Sequence, residues 1–160
     1  MRVLLACVGR SKTGPERELS ARYLERSRAL GRVTGISGVE LRELDESRAA
    51  RPGDRKREEA KALCALLAPR ARIIALDCGG TQLTSRAFAA EFRKARDDGV
   101  PLIALVIGGP DGLDPGFLAM ASLTLSFGKM TWPHQIVRIM AAEQIYRAMA
   151  ILSGHPYHRD

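Results

Sequence analysis

The chain alternates short apolar runs with amphipathic segments, and this alternation restricts the fold more than any other feature. Apolar runs of strand length predict five strands, at 2–8, 39–44, 72–78, 101–107 and 123–127. Helical spacing and capping residues predict helices that begin near Pro15, Asp54, Thr84 or Ser85, Asp114 and Pro133. The order β-α, repeated five times, predicts an α/β fold with a mostly parallel sheet and helices on both faces.

The length of 160 residues fits a single domain spanning residues 1–160. Hydrophobic residues make up 46% and charged residues 27%, which is ordinary for a globular protein. No apolar run reaches the roughly 20 residues that span a bilayer. The apolar start is too short for a typical signal peptide. We therefore expect no membrane segment and no exported leader.

Three cysteines, Cys7, Cys64 and Cys78, match no zinc spacing and cannot all pair within the chain. Cys7 and Cys78 lie in or beside apolar runs, so we expect buried thiols in a reducing cytoplasm and no metal site. The formal net charge of +7 favours a polyanionic partner. Aromatic residues are only 5%, which argues against a protein that stacks many bases on a sheet face.

The fourth apolar run ends abruptly in "GGPDG", Gly108 to Gly112. Glycines also follow the third strand, at 79–80, and the fifth, at 128. Ligands of open parallel sheets bind beyond the carboxyl ends of the strands. No P-loop, dinucleotide fingerprint or nucleophile-elbow motif is present. Two interpretations stay open at this point: a socket for an adenosine held by backbone groups, and three tight turns without a ligand.

The last helix has apolar residues on two sides. One side carries Val137, Met140, Ala141, Ile145, Ala148 and Leu152; the other carries Ile136, Ile139 and Tyr146. A helix that is apolar on two sides is enclosed on both. The sheet can cover one side, so we expect a second copy of the chain to cover the other, in a homodimer built on this helix.

Four segments resemble one known family. They are "LDCGG", "IGGPDGL", "LSFGKMTWPHQIVRIMAAEQIYRA" and "HPYHR". They resemble the RlmH-type methyltransferases of the SPOUT class, over nearly the whole chain and most specifically from Leu76 onward. The resemblance implies a C-terminal trefoil knot and S-adenosylmethionine as methyl donor. It also implies methylation at N3 of a pseudouridine in large-subunit (23S) ribosomal RNA. Because the chain is small and has no separate RNA-binding domain, we expect it to act on assembled ribosomes or their large subunit and not on free RNA.

The resemblance also implies which residues contact the cofactor. They are Leu76, Gly108, Phe127, Gly128, Lys129, Met130, Thr131 and Trp132. Gly128 departs from the serine expected there, which removes a hydroxyl but keeps the backbone. On this interpretation Gly108 makes room for the adenosine part, Gly112 permits a positive φ, and Gly108→Val abolishes cofactor binding without unfolding the chain.

Methylation of an imide nitrogen requires the loss of its proton, so a base or a nearby cation can help. The candidates for catalysis are His134, Arg138 and His155, and those for RNA contact are Arg147, Tyr157, His158 and Arg159. Each has a structural alternative. His134 can bond the backbone at the helix start, Arg147 can pair with Glu143 at i,i+4 spacing, and Tyr157 can pack.

Two other functions are compatible with the same resemblance. A ribosome- or RNA-binding factor could keep the fold without binding S-adenosylmethionine. A related methyltransferase could instead act on transfer RNA, and only the modified product distinguishes it. A small enzyme that uses another nucleotide is disfavoured by the missing phosphate motifs.

Overall fold

A computed structural model describes residues 1–159, whose centre is one five-stranded sheet. The strands are β1 (Arg2–Val8), β2 (Gly38–Leu44), β3 (Arg72–Thr81), β4 (Leu102–Ile107) and β5 (Leu123–Leu125). Their order across the sheet is β2-β1-β4-β3-β5, and every pairing is parallel. The predicted parallel α/β sheet is therefore confirmed.

Six helices connect and follow the strands. They are α1 (Pro15–Ala29), α2 (Gly31–Thr34), α3 (Pro52–Cys64), α4 (Ser85–Asp97), α5 (Pro115–Met120) and α6 (His134–Ser153). Thr84 caps α4 by accepting a hydrogen bond from the Ala87 amide, as predicted. Asp54 does not cap α3, because the helix already begins at Pro52, whose fixed φ suits a first turn.

The helices cover both faces of the sheet. On one face α1, α4 and α6 bury Leu24, Phe92 and Ile145 against the strands. On the other face α3 and α5 bury Leu63 and Phe117. Phe117 is the inward residue of α5, whereas Leu118 and Ala121 are only partly buried.

The two apolar sides of α6 are covered mostly from within the chain. Ala141, Ile145 and Met149 are fully buried in the core. Tyr146, assigned above to a partner-facing side, is buried by two other tyrosines. The ring centroid of Tyr23 lies 6.2 Å away and that of Tyr157 lies 4.5 Å away. The expectation that Tyr146 needs a second subunit is therefore wrong, although Ile136 remains exposed.

Strand β3 is longer than predicted, because the Gly79–Gly80 pair continues the strand to Thr81 instead of turning. Thr81 pairs with Leu125 of β5 after a shift in register. A Cβ on Gly80 would lie 2.7 Å from backbone atoms of Thr124 and Leu125. Glycine therefore allows β3 and β5 to approach closely at the edge of the sheet.

The expectation that Cys7 and Cys78 are both buried has a mixed outcome. Cys7 is buried, whereas Cys78 is exposed, because β3 leaves the core before that residue. Among residues 1–159, no helix is long and apolar enough to cross a membrane, and no cluster of potential ligands could hold a metal ion. The trefoil knot and the single-domain boundaries at 1–160 stay predictions.

Candidate active site

The carboxyl ends of β3, β4 and β5 lie side by side, and their loops enclose a cleft of about 240 Å³. Leu76 of β3 is in register with Ile107 of β4 and with Leu125 of β5. Seven of the eight residues that the resemblance assigns to the cofactor line the cleft: Leu76, Gly108, Phe127, Gly128, Met130, Thr131 and Trp132. Lys129 is exposed and is not among the lining residues.

The lining suits a nucleoside better than a phosphate. Apolar walls come from Ile107, Leu125 and Val137, and backbone groups of the three loops supply donors and acceptors. No lysine or arginine within residues 1–159 lines the cleft, whereas phosphate sites typically use such cations. Asp77 provides the single carboxylate of the lining. The cleft therefore fits an adenosyl group that carries a sulfonium and an amino acid instead of phosphates.

The loop after β4, residues 108–112 (the glycine loop), is held closed by its own backbone. The Gly112 amide donates to the Gly109 carbonyl at 2.9 Å, and Gly112 has a φ of 83°, as predicted. A Cβ on Gly108 would lie 2.9 Å from the Gly112 carbonyl carbon and 3.0 Å from Leu113. Gly108 is thus required by the closure of its own loop. The expectation that Gly108 makes room for the cofactor stays a prediction, and loop closure is a second reason for a glycine there.

Helix α3 supports the glycine loop from the side opposite the cleft. Arg55 donates two hydrogen bonds to Asp111, at 2.6 and 3.1 Å, and this pairing holds the pKa of the Asp111 carboxyl below its usual range. Glu59 is buried, and its carboxylate lies 2.9 Å from where a Cβ of Gly109 would be. The sequence did not indicate these contacts, because they join residues that are far apart in the chain.

The loop after β5 forms the third wall. Buried Ser126 accepts a hydrogen bond from the Gly128 amide through Oγ at 3.2 Å and donates to the Gly128 carbonyl at 3.0 Å. Gly128 has a φ of 119°, a conformation that residues with a Cβ rarely adopt. Trp132 and His134 line the open mouth of the cleft, and both side chains are exposed.

Arg138, predicted as catalytic, points away from the cleft and is only 4% exposed. Its guanidinium donates to Glu43 at 2.7 Å and to the Gly9 carbonyl at 2.9 Å, and it also bonds the Ser11 hydroxyl. It therefore ties the start of α6 to the carboxyl ends of β1 and β2. Nearby, burial raises the pKa of the Cys7 thiol to about 11, although the Arg138 charge opposes this shift.

The C-terminal tail, residues 154–159, folds back on α6 and α1. Tyr157 donates to Glu143 at 2.9 Å, and the Arg147 guanidinium lies 4.8 Å from the Tyr157 ring centroid. Arg147 also pairs with Glu143, the structural alternative considered above, and its Nη1 lies 3.4 Å from His158 Nδ1. Three of the four predicted RNA-contact residues thus form one cluster, while Arg159 is exposed beyond it.

The structure does not bring His134 and His155 together. Residue 134 begins α6 and residue 155 follows its end. Twenty helical residues span about 30 Å at a rise of about 1.5 Å each. His155 instead accepts a hydrogen bond from the Tyr157 amide and lies against the Tyr146 ring. Within one chain only His134 lines the cleft, and no catalytic role is tested by this geometry.

The sheet is parallel, and the cleft at its carboxyl edge suits a nucleoside without phosphates. This arrangement agrees with the family that the chain matches. A family model described as "Predicted SPOUT methyltransferase" matches residues 1–158. The chain belongs to the SPOUT methyltransferase family, whose members take the methyl group from S-adenosylmethionine.

Its relatives define a narrower group. The chain is 59% identical over 160 residues, all of both chains, to "Ribosomal RNA large subunit methyltransferase H" of Methylocella silvestris. It is 55% identical to the protein of that name from Beijerinckia indica and 50% identical to that from Bradyrhizobium sp.. Each of these two matches covers 99% of both chains.

Proposed function

We propose that this chain transfers a methyl group from S-adenosylmethionine to N3 of a pseudouridine in large-subunit (23S) ribosomal RNA. Its substrate is the large subunit or the assembled ribosome in the cytoplasm. The main observation in support is the cleft at the ends of β3, β4 and β5, which is lined by seven of the eight expected cofactor residues. The relatives are named as methyltransferases of the large-subunit ribosomal RNA, and this supports the proposal.

The residues of the cleft mainly have to position the methyl donor and the attacking nitrogen. S-adenosylmethionine supplies a methyl group on a sulfonium, which is already a good leaving group. The backbone at Leu76, Gly108 and Phe127 holds the nucleoside part, and the apolar walls exclude water. The chain must then hold the attacking nitrogen in line with the methyl group, at about 3 to 3.5 Å.

His134 is the residue of this chain best placed to accept the N3 proton, because it is exposed at the mouth of the cleft. Arg138 acts differently. Its bonds to Glu43 and Gly9 favour a positioning role, in which it fixes the first turns of α6 and thereby His134.

The remaining candidates reach a cleft only if two chains associate. His155 and the tail lie at the far end of α6 from His134, so a homodimer built on α6 would bring the tail of one copy toward the cleft of the other. Three exposed apolar side chains lie at the mouth of the cleft, on residues 130, 132 and 136, and they support an interface there.

The location of the cofactor can be tested by thiol protection. Cys78 lines the cleft and is exposed, Cys64 is exposed on α3, and Cys7 is buried. We expect saturating S-adenosylmethionine to slow alkylation of Cys78 at least severalfold, measured by peptide mass spectrometry. Cys64 is the internal control and should react at an unchanged rate. Equal rates at Cys78 with and without the cofactor would contradict the proposed location.

The reaction itself is tested with purified acceptors. We expect transfer of labelled methyl groups to ribosomes or large subunits that lack the modification, with 3-methylpseudouridine as the product by nucleoside mass spectrometry. Transfer RNA should accept none. Exclusive methylation of transfer RNA would favour the related enzyme, and failure to bind S-adenosylmethionine would favour a non-catalytic RNA-binding factor.

A further inference from the structure

We infer that the β2–α3 loop, residues 45–51, is a contact surface for the phosphate backbone of the substrate RNA, through Arg48 and Arg51. This inference rests on the proposed function and extends it to a surface that neither the resemblance nor the relatives assign. Both side chains are exposed, and the loop leaves the same carboxyl edge of the sheet as the cleft.

The loop is fixed in place by side chains of α3. The Ser47 amide donates to buried Glu59 at 3.0 Å, and the Ala49 amide donates to the Ser47 hydroxyl at 3.1 Å. Arg55 donates to the carbonyls of Ala49 and Ala50 at 3.0 and 3.1 Å. A loop that is already ordered loses little conformational entropy when it binds a ligand.

The same residues of α3 hold the β2–α3 loop next to the glycine loop of the cleft. Arg55, which holds residues 49 and 50, also holds Asp111 of the glycine loop. Glu59, which holds Ser47, lies against Gly109. Since Gly109 and Pro110 line the cleft, the glycine loop lies between the β2–α3 loop and the cleft, and a phosphate bound by the β2–α3 loop would belong to RNA that flanks the reacting nucleotide.

Three acidic groups around the loop are already engaged by donors, whereas Glu46 within the loop is exposed. Asp45 is paired with Arg10 at 2.5 Å, and this hydrogen bond is the main reason why the pKa of Asp45 is lowered. Asp111 is paired with Arg55, and Glu59 accepts from an amide. Neither Arg48 nor Arg51 makes an ion pair with any residue between 1 and 159. Arg48 and Arg51 thus face solvent without a hydrogen-bonded carboxylate among residues 1–159, although the charge of Arg48 contributes to the lowered pKa of Asp45. Exposed arginines of this kind suit contacts with phosphates.

The test compares Arg48→Ala/Arg51→Ala with a matched control, Arg93→Ala/Lys94→Ala. The control removes the same charge from exposed positions near the end of α4, which runs away from the carboxyl edge. Methylation of large subunits is measured as kcat/KM at several salt concentrations, and S-adenosylmethionine affinity is measured by calorimetry.

We expect the loop variant to lower kcat/KM about tenfold or more near 100 mM salt. It should also reduce the slope of log kcat/KM against log salt by about 1.4 to 1.8, since each phosphate contact contributes about 0.7 to 0.9. Cofactor affinity and melting temperature should not change, and Arg48→Lys/Arg51→Lys should restore most of the slope. The control variant should retain the slope of the wild type.

An unchanged slope and kcat/KM in the loop variant, with active wild type, would overturn the inference while leaving the proposed function intact. So would an equal loss in the control variant. A wild-type chain that methylates no ribosomal particle would instead refute the proposed function, and the inference with it.

Discussion

Arg138 shows how a polar residue near a candidate active site can have a structural role. Its guanidinium and the Glu43 carboxylate form an ion pair that is almost fully buried, with side chains 4% and 15% exposed. Removing one member of such a pair leaves the other charge buried without compensation, which costs about 3 to 5 kcal/mol. We expect Arg138→Met to lower the free energy of unfolding by about 3 kcal/mol in urea titrations.

Arg138→Met/Glu43→Gln should recover much of that loss, because no buried charge remains. Arg10→Ala is the control, since it breaks an exposed pair with Asp45 and should have little effect on stability. A stable Arg138→Met variant that binds cofactor normally but no longer methylates would instead favour the direct catalytic role predicted from the sequence.

Asp77 gives a second prediction at the scale of one residue. Its Oδ1 accepts the Gly79 amide at 2.8 Å, and it is the single carboxylate of the cleft lining within residues 1–159. Because S-adenosylmethionine is cationic at sulfur, we expect Asp77→Asn to weaken its binding about tenfold, near the lower end for interactions with charged groups. Asparagine keeps an acceptor for the Gly79 amide.

Calorimetry with S-adenosylhomocysteine, which lacks the sulfonium charge, separates the causes. Its binding should fall less than that of S-adenosylmethionine. Equal losses would place Asp77 against a neutral part of the cofactor, and no loss of either would contradict the prediction.

The sequence predicted individual residues well where the backbone determines their role. The positive φ of Gly112 and the cap at Thr84 follow from local chain geometry and were found. The burial of Arg138 and the exposure of Cys78 depend on how distant elements pack, which no local pattern encodes. The cofactor residues came from resemblance, since backbone groups carry little signal in side-chain types.

At the scale of elements, the glycine loop is the wall of the cleft whose conformation depends most on contacts within the loop itself. We expect Gly108→Ala to lower the melting temperature and the S-adenosylmethionine affinity together, because the added Cβ would collide with Gly112 and Leu113. Gly53→Ala is the matched control, since its Cβ would meet no atom within 4 Å and a helical alanine is favourable.

Loss of cofactor affinity in Gly108→Ala with an unchanged melting temperature would contradict this account. That outcome would favour the interpretation based on the resemblance, in which Gly108 makes room for the adenosine part and its substitution leaves the chain folded. Thermal denaturation and calorimetry on the same samples decide between the two.

Most elements were predictable because their apolar patterns are strong. Strands β1 and β4 are continuous apolar runs, and the structure places them within one residue of the predicted bounds. The extension of β3 was missed, because the Gly79–Gly80 pair also suits a turn and only the proximity of β5 decides. The role of α3 in supporting the glycine loop was not foreseen either, since it depends on contacts such as Arg55 with Asp111 across 56 positions.

At the scale of the whole molecule, the exposed apolar side chains indicate where a second copy would bind. Met130, Trp132 and Ile136 are 71%, 39% and 37% exposed and lie within seven residues of one another. We expect the wild type to be dimeric by light scattering at micromolar concentration and Ile136→Glu to shift it toward the 17.5 kDa chain mass.

Met120→Glu is the control for that shift, because Met120 is 53% exposed on α5, on the face of the sheet opposite α6. It should not change the measured mass. A monomeric wild type would refute the dimer, and an equal effect of both variants would place the interface elsewhere than α6.

The position of β1 in the sheet affects how the chain can fold during synthesis. β1 is made first, yet it lies between β2 and β4, and β4 begins only at Leu102. One hydrogen-bonding edge of this largely apolar strand therefore stays open until about two thirds of the chain has left the ribosomal tunnel. Such long-range pairing slows folding and leaves a nascent intermediate with an unpaired strand edge and exposed apolar surface. Chaperones that shield emerging chains should therefore assist the biogenesis of this small protein.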